Sequence, residues 1–104
     1  MTKQYDICSN ANSASRKLVP YLIVLQADLM RDFQTVIVAP LRRESMATTI
    51  AKLNPVVKIE GKTFRVSMAE LAGVLRSQLG NVVANVEDQH REFVDAIDLL
   101  FTGI

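Results

Sequence analysis

Apolar positions along the chain fall into two rhythms. Near the C-terminus, Val86, Phe93, Val94, Ile97, Leu100 and Phe101 recur at steps of three, four and seven, which lays one stripe along a helix of 3.6 residues per turn. This predicts an amphipathic helix over Asn85–Ile104. Asn85 suits its N-cap, Glu87 and Asp88 suit the dipole of its first turn, Glu87 and Arg91 stand four apart in the favourable order, and Gly103 suits the left-handed cap that stops it. Beyond the stop, FTGI is apolar, which fits docking on a core or lying in an interface better than an idle end.

The earlier chain follows a strand rhythm. Gln4–Cys8 alternates loosely and predicts a short first strand, followed by a long polar loop, Ser9–Lys17. Leu18–Gln26 is nearly continuous in branched and aromatic residues, as in a strand buried on both faces or half-buried in an interface, and Pro20 confines it to a strand start or an edge. A third strand is predicted at Thr35–Leu41, with Pro40 marking its end. The link between them, Ala27–Gln34, is oddly greasy. Leu29, Met30 and Phe33 are expected to tuck under the sheet, the alternative being a partner surface. Arg42–Lys52 reads as a polar loop or short helical turn.

The clearest hairpin has strands Val56–Ile59 and Lys62–Met68 around a two-residue turn, Glu60-Gly61. That turn sets Val57 against Phe64 on the inner face, with Lys58 and Arg65 on the wet side. Met68–Ala84 is ambiguous: Leu71, Val74, Leu75 and Leu79 have helical spacing, while Gly73 and Gly80 interrupt it. Read alone it predicts a helix.

Length and composition narrow the picture. A chain of 104 residues is one domain, 1–104, with no linker. Twelve basic and 11 acidic side chains leave a net charge of +1, too small a field to attract nucleic acid or an anionic membrane. A hydrophobic fraction of 49% is more than one small core readily hides, which favours a homodimer. The single cysteine, Cys8, excludes an intrachain disulfide and suits a reducing cytoplasm. No apolar run is long enough for a signal peptide or a membrane span.

Catalytic chemistry is thinly represented. His90 is the only histidine and lies near the helix stripe, so it reads as structural rather than as a general base. No metal motif, phosphate loop or dinucleotide fingerprint is present, so no cofactor is expected. Cys8 reads as a small buried hydrophobe. Arg16-Lys17, Arg31 and Arg42-Arg43 form a possible phosphate groove, but solvated loop charge is the better reading, since no aromatic residue is interleaved for stacking on bases.

In this order, QADLM (Gln26–Met30), VIVAPL, LNPVVKIEGKTFRV, MAELAG and AIDLLFTGI make the chain similar to the CcdB toxins of toxin-antitoxin modules, over nearly its whole length and best from Leu53 to Ile104. The resemblance implies a mainly β fold: a small antiparallel barrel of the SH3-like kind shared with Kid and MazF, a three-stranded side sheet and one long C-terminal helix, assembled as a homodimer. It also implies that Met68–Leu79 runs partly extended beside the dimer interface. CcdB-like proteins have no catalytic residue. They bind the A subunit of DNA gyrase, trap its cleaved DNA complex, and are neutralised by the tail of a CcdA-like antitoxin. Carried over by position, the gyrase-facing residues are Leu29, Met30, Asp98, Phe101, Thr102, Gly103 and Ile104, with the antitoxin expected over Ser9–Lys17 and Arg42–Lys52. One departure stands out: Thr102 occupies the place of a tryptophan in gyrase-poisoning members. Two rivals stand beside the gyrase reading: a ribonuclease of the same fold, which would need an acid-base pair such as His90 or Asp28 with Arg31, and a weakly toxic relative acting mainly as an antitoxin-binding protein.

Overall fold

The structure, a computed structural model, describes residues 2–43 and 50–103. Among the described residues seven strands form one curled antiparallel sheet: β1 (Asp6–Asn10), β2 (Tyr21–Val24), β3 (Thr35–Arg43), β4 (Val56–Ile59), β5 (Lys62–Val66), β6 (Ala72–Leu75) and β7 (Leu79–Asn85), followed by an α-helix, α1 (His90–Thr102). The order across the sheet is β4-β5-β3-β2-β1-β7, with β6 beside β3. The result is a half-barrel with one C-terminal helix, and the expected side sheet is continuous with the rest through β3.

Strand β3 holds the arrangement together, because it has β2 on one side and two partners in succession on the other. Its first half pairs with β6 (Thr35↔Leu75 to Val38↔Ala72) and its last three residues with β5 (Leu41↔Val66 to Arg43↔Phe64). Pro40, expected to end the strand, instead lies within it. The Pro40 carbonyl accepts from Ser67 N–H at 2.9 Å on the β5/β6 side, so the N–H that proline lacks faces the gap between those two partners and leaves no ladder bond unmade.

The hairpin follows its turn chemistry. Glu60 and Gly61 both have positive φ, 51° and 79°, as a two-residue primed turn requires. Val57 faces Phe64 in the ladder, and both are buried. Lys58 is exposed; Arg65 is half-buried and donates to the Asn54 carbonyl at 2.9 Å.

Residues 68–84 are not a helix. They form a 3-10 turn (Met68–Glu70), β6, a second 3-10 turn (Arg76–Gln78) and β7. Two sequence-distant strands, β3 and β1, capture this segment with ladder bonds. Gly80 lies where the β1–β7 register shifts: a Cβ there would collide with the Ser9 hydroxyl and lie 2.9 Å from the Ser9 carbonyl oxygen.

The sheet has two apolar sides. On the larger, Ile7, Ile23, Ala39, Leu41, Val57, Phe64 and Val66 pack with Met68 and Tyr5 beneath Phe93 and Ala96 of α1. The smaller is a cluster of Cys8, Val24, Val36 and Val38 flanked by Leu22, Val74 and Leu79. Cys8 is fully buried, and burial together with nearby Asp6 pushes its thiol up to about 11, so it is a packed hydrophobe.

The helix is shorter than its stripe. Asn85 and Val86 are drawn into the sheet, where Val86 N–H donates to the Tyr5 carbonyl at 3.1 Å, and a 3-10 turn, Glu87–Gln89, precedes α1. Val86 therefore takes the N-cap position of that turn, and the Asn85 side chain, one residue earlier, accepts from Glu87 N–H at 3.0 Å. Arg91 lies 3.6 Å from Asp95 rather than pairing back to Glu87. Gly103 ends the helix in the left-handed region (φ 77°) and donates its N–H to the Leu99 carbonyl at 3.0 Å.

Candidate functional site

Among the described residues, large apolar side chains reach water at several places, Leu18, Ile50 and the β6–β7 face (Leu75, Val82, Val83) included, and the two most exposed positions, Leu29 and Phe101, belong to two regions that carry the expected target-facing residues. The first is the link between β2 and β3. Its 3-10 turn, Asp28–Met30, buries none of its residues: Leu29 is 91% exposed and Phe33 59%. The expectation that these side chains tuck under the sheet is overturned for Leu29 and Phe33, whereas Met30 is half-buried. The turn is only three residues long, and its carbonyls are held by donors from behind: Gln26 Nε2 and Arg76 Nη2 reach the Met30 oxygen at 3.3 and 3.2 Å, and Arg76 Nε reaches the Phe33 oxygen at 2.6 Å. The backbone is tied down while Leu29 and Phe33 face solvent.

The second region is the end of α1. Asp98, Phe101, Thr102 and Gly103 are all exposed, Phe101 to 68%. The stripe divides here, with Ile97 and Leu100 packed against the core and Phe101 outside it. The Thr102 hydroxyl donates back to the Asp98 carbonyl at 2.5 Å, so it is spent on its own helix. Ile104, named with this group, lies outside the described residues.

Within one chain these regions sit apart. The Asp28 turn is joined to the start of α1: Gln4 N–H donates to Asp28 Oδ1 at 2.7 Å, and Tyr5 next to it meets His90 Nδ1 through its hydroxyl at 2.6 Å. The tail lies at the far end of a 13-residue helix, roughly 18 Å along its axis.

The rival acid-base group can also be placed. Asp28 and His90 line one hollow of about 240 Å³ with Lys3, Gln4, Tyr5 and Glu87, and Arg31 lines a neighbouring one with Thr2, Lys3 and Asp28. His90 is held edge-on to Tyr5, which in turn stacks on Phe93 at 5.2 Å, as a structural histidine would be. Carboxylates outnumber cations here: Glu87, Asp28 and, in the adjoining hollow, Asp6 and Asp88 stand around Lys3, which lines both hollows. Among the described residues no three His, Cys, Asp or Glu side chains come together to hold a metal ion.

The basic groups do not converge into one groove. Arg31 precedes β3 and Arg42-Arg43 close it, roughly 20 Å away along the strand. Arg42 is committed to Glu70 through two hydrogen bonds of 2.8 and 2.6 Å, and these, with Ser67, hold the Glu70 carboxyl down at about 2. Arg43 Nη1 reaches the Lys17 carbonyl at 3.4 Å, which joins the end of the 9–17 loop to the end of β3. Most of Arg42–Lys52 lies outside the described residues. Sequence reading did not single out Arg76, because the carbonyls it holds are 43 and 46 residues away.

Residues 4–103 match the family described as "CcdB protein". No curated protein matches the chain. Among solved structures, a Mycobacterium tuberculosis toxin titled MazF-mt6 superposes with a TM-score of 0.73 at 16% identity, covering 92% of this chain and 95% of its own. An Mtb toxin gives 0.73 at 17% identity, covering 91% and 99%. An endoribonuclease in complex with its cognate antitoxin, from a mycobacterial species, gives 0.74 at 10% identity, covering 96% and 94%. At such identities the likeness is one of fold.

Proposed function

The chain belongs to the CcdB family, and we propose that it is the toxin of a type II toxin-antitoxin module, a homodimer that binds the A subunit of DNA gyrase, traps the cleaved DNA complex and is neutralised by a CcdA-like antitoxin. The observation that carries this reading is that Leu29 and Phe101 are the two most exposed large apolar side chains among the described residues, one in each region. Leu29 at 91% and Phe101 at 68% exposure contribute little to folding, and such side chains are the usual anchors of a binding surface. Leu29 and Met30, with Asp98, Phe101, Thr102, Gly103 and Ile104, form the target-facing set. Phe101 supplies the aromatic anchor that Thr102 does not. The half-exposed Leu75, Val82 and Val83 on β6 and β7 form the face that a second copy covers. The 9–17 loop and the end of β3, joined through Arg43 and Lys17, form the antitoxin's landing ground. The toxin acts by binding, in the cytoplasm, without a cofactor.

Purified protein added to gyrase tests this. Supercoiling of relaxed plasmid should stop at micromolar protein or below and resume on addition of the antitoxin tail; full supercoiling at high protein concentration would contradict the reading. Long RNA incubated with the same protein should stay intact, and its cleavage would move the function to the ribonuclease alternative.

A further inference from the structure

The exposed turn that carries Leu29 has little of its own to hold it. It lacks a side-chain cap, buries nothing, and spans only Asp28–Met30. A turn this short has no stability alone, so its shape depends on what grips it from outside.

One side chain does most of the gripping. Arg76, half-buried just after β6, uses all three guanidinium nitrogens on this region. Nε donates to the Phe33 carbonyl at 2.6 Å, Nη2 to the Met30 carbonyl at 3.2 Å, and Nη1 to the Thr2 hydroxyl at 3.1 Å. Its backbone N–H adds a fourth bond, to the Gln34 carbonyl at 2.9 Å. Among the described residues Arg76 makes no ion pair, so the whole fork is given to main-chain oxygens and one hydroxyl. Only a planar, multi-donor cation can bridge two carbonyls and a hydroxyl at once, and its charge complements the negative end of the turn.

We propose that Arg76 is the positioning residue of the target-binding turn: it fixes the backbone that follows Leu29, from Met30 to Gln34, while Gln4 holds Asp28 before it, and so presents the Leu29 side chain, pre-ordered, to the partner. This rests on the reading of Leu29 as a target contact. Pre-ordering matters because an unpinned loop must be ordered at the moment of binding, at the expense of affinity. A lysine at position 76 would supply one point charge and no fork, and so would restore the turn only in part.

The test pairs Arg76→Ala, Arg76→Lys, Leu29→Ala and the double variant Leu29→Ala/Arg76→Ala in the full chain, with two readouts. In the free protein, amide exchange of Met30, Arg31 and Phe33, whose N–H groups are bonded within the turn, should speed up roughly tenfold or more in Arg76→Ala, with strand amides of β4 and β5 unchanged. In titrations against the gyrase A subunit, Arg76→Ala should weaken binding roughly tenfold and Arg76→Lys less, while in the Leu29→Ala background removal of Arg76 should add less than about twofold, because the two act through one contact. Unchanged exchange, or an equal loss of affinity with and without Leu29, would overturn the proposal. If the wild-type chain does not bind the A subunit, the gyrase reading falls, and the exchange arm alone decides Arg76. Should Arg76→Ala fail to fold, Arg76→Gln carries the same comparisons.

Discussion

Phe93 and Phe101 lie about two turns apart on one helix, and they have opposite fates. Phe93 is completely buried, stacked on Tyr5 at 5.2 Å; Phe101 is 68% exposed. The same contrast separates Met68, at 0% exposure, from Leu29, at 91%. Apolar character does not distinguish the members of either pair. Position against the curled sheet does, and it divides the apolar side chains into those that hold the fold and those left in solvent.

Truncation should split the two groups most sharply. Phe93→Ala should cost about 3 to 5 kcal/mol in urea unfolding, by loss of transfer energy and by the cavity left behind, while Phe101→Ala should stay within about 0.5 kcal/mol. Equal losses at both positions would erase the contrast. The next largest effect is expected at the tail. Thr102→Trp would place an indole beside Phe101 and should tighten gyrase binding by roughly 30- to 1,000-fold in a titration with the A subunit. No change would mean that this end of the helix does not meet the target. Leu29→Ala should weaken the same binding by roughly tenfold with no change in the unfolding midpoint.

The smallest effect concerns the Arg42–Glu70 pair, which supports neither region directly. The Glu70 carboxyl is held down at about 2 against an ordinary 4.5 by its hydrogen bonds to Arg42 and Ser67. A lowered carboxyl contributes stability that is fully present above pH 4.5 and is lost as pH falls toward 2. With its side chain 47% exposed, the pair is worth less than about 1 kcal/mol at neutral pH. Glu70→Gln should therefore leave unfolding near pH 7 almost unchanged and flatten its dependence between pH 4.5 and 2.

The same division explains what could be read from the sequence. The hairpin was legible to the residue pair, since a two-residue turn at Glu60-Gly61 leaves no freedom in register and Val57 must meet Phe64. Gly103 was legible as a stop because its left-handed cap is a local matter. Residues 68–84 were not, because helical spacing at Leu71, Val74, Leu75 and Leu79 loses to ladder bonds from β3 and β1, strands far away in sequence. The helix start slipped for the same reason: Tyr5 pulls Val86 into the sheet. Of the candidate site, the residue types were visible as greasy positions in polar surroundings. Their exposure was not, since it depends on Arg76 gripping the turn from behind.

The account rests on a cleaved gyrase complex stabilised through Leu29 and Phe101. The most direct measurement incubates gyrase and supercoiled plasmid with the protein and ATP, then denatures the enzyme and scores linear DNA. The wild-type chain should make linear DNA accumulate with dose, and the folded Leu29→Ala/Phe101→Ala variant should not. Linear DNA at background level at every dose of wild-type protein, or equal accumulation with the double variant, would contradict it.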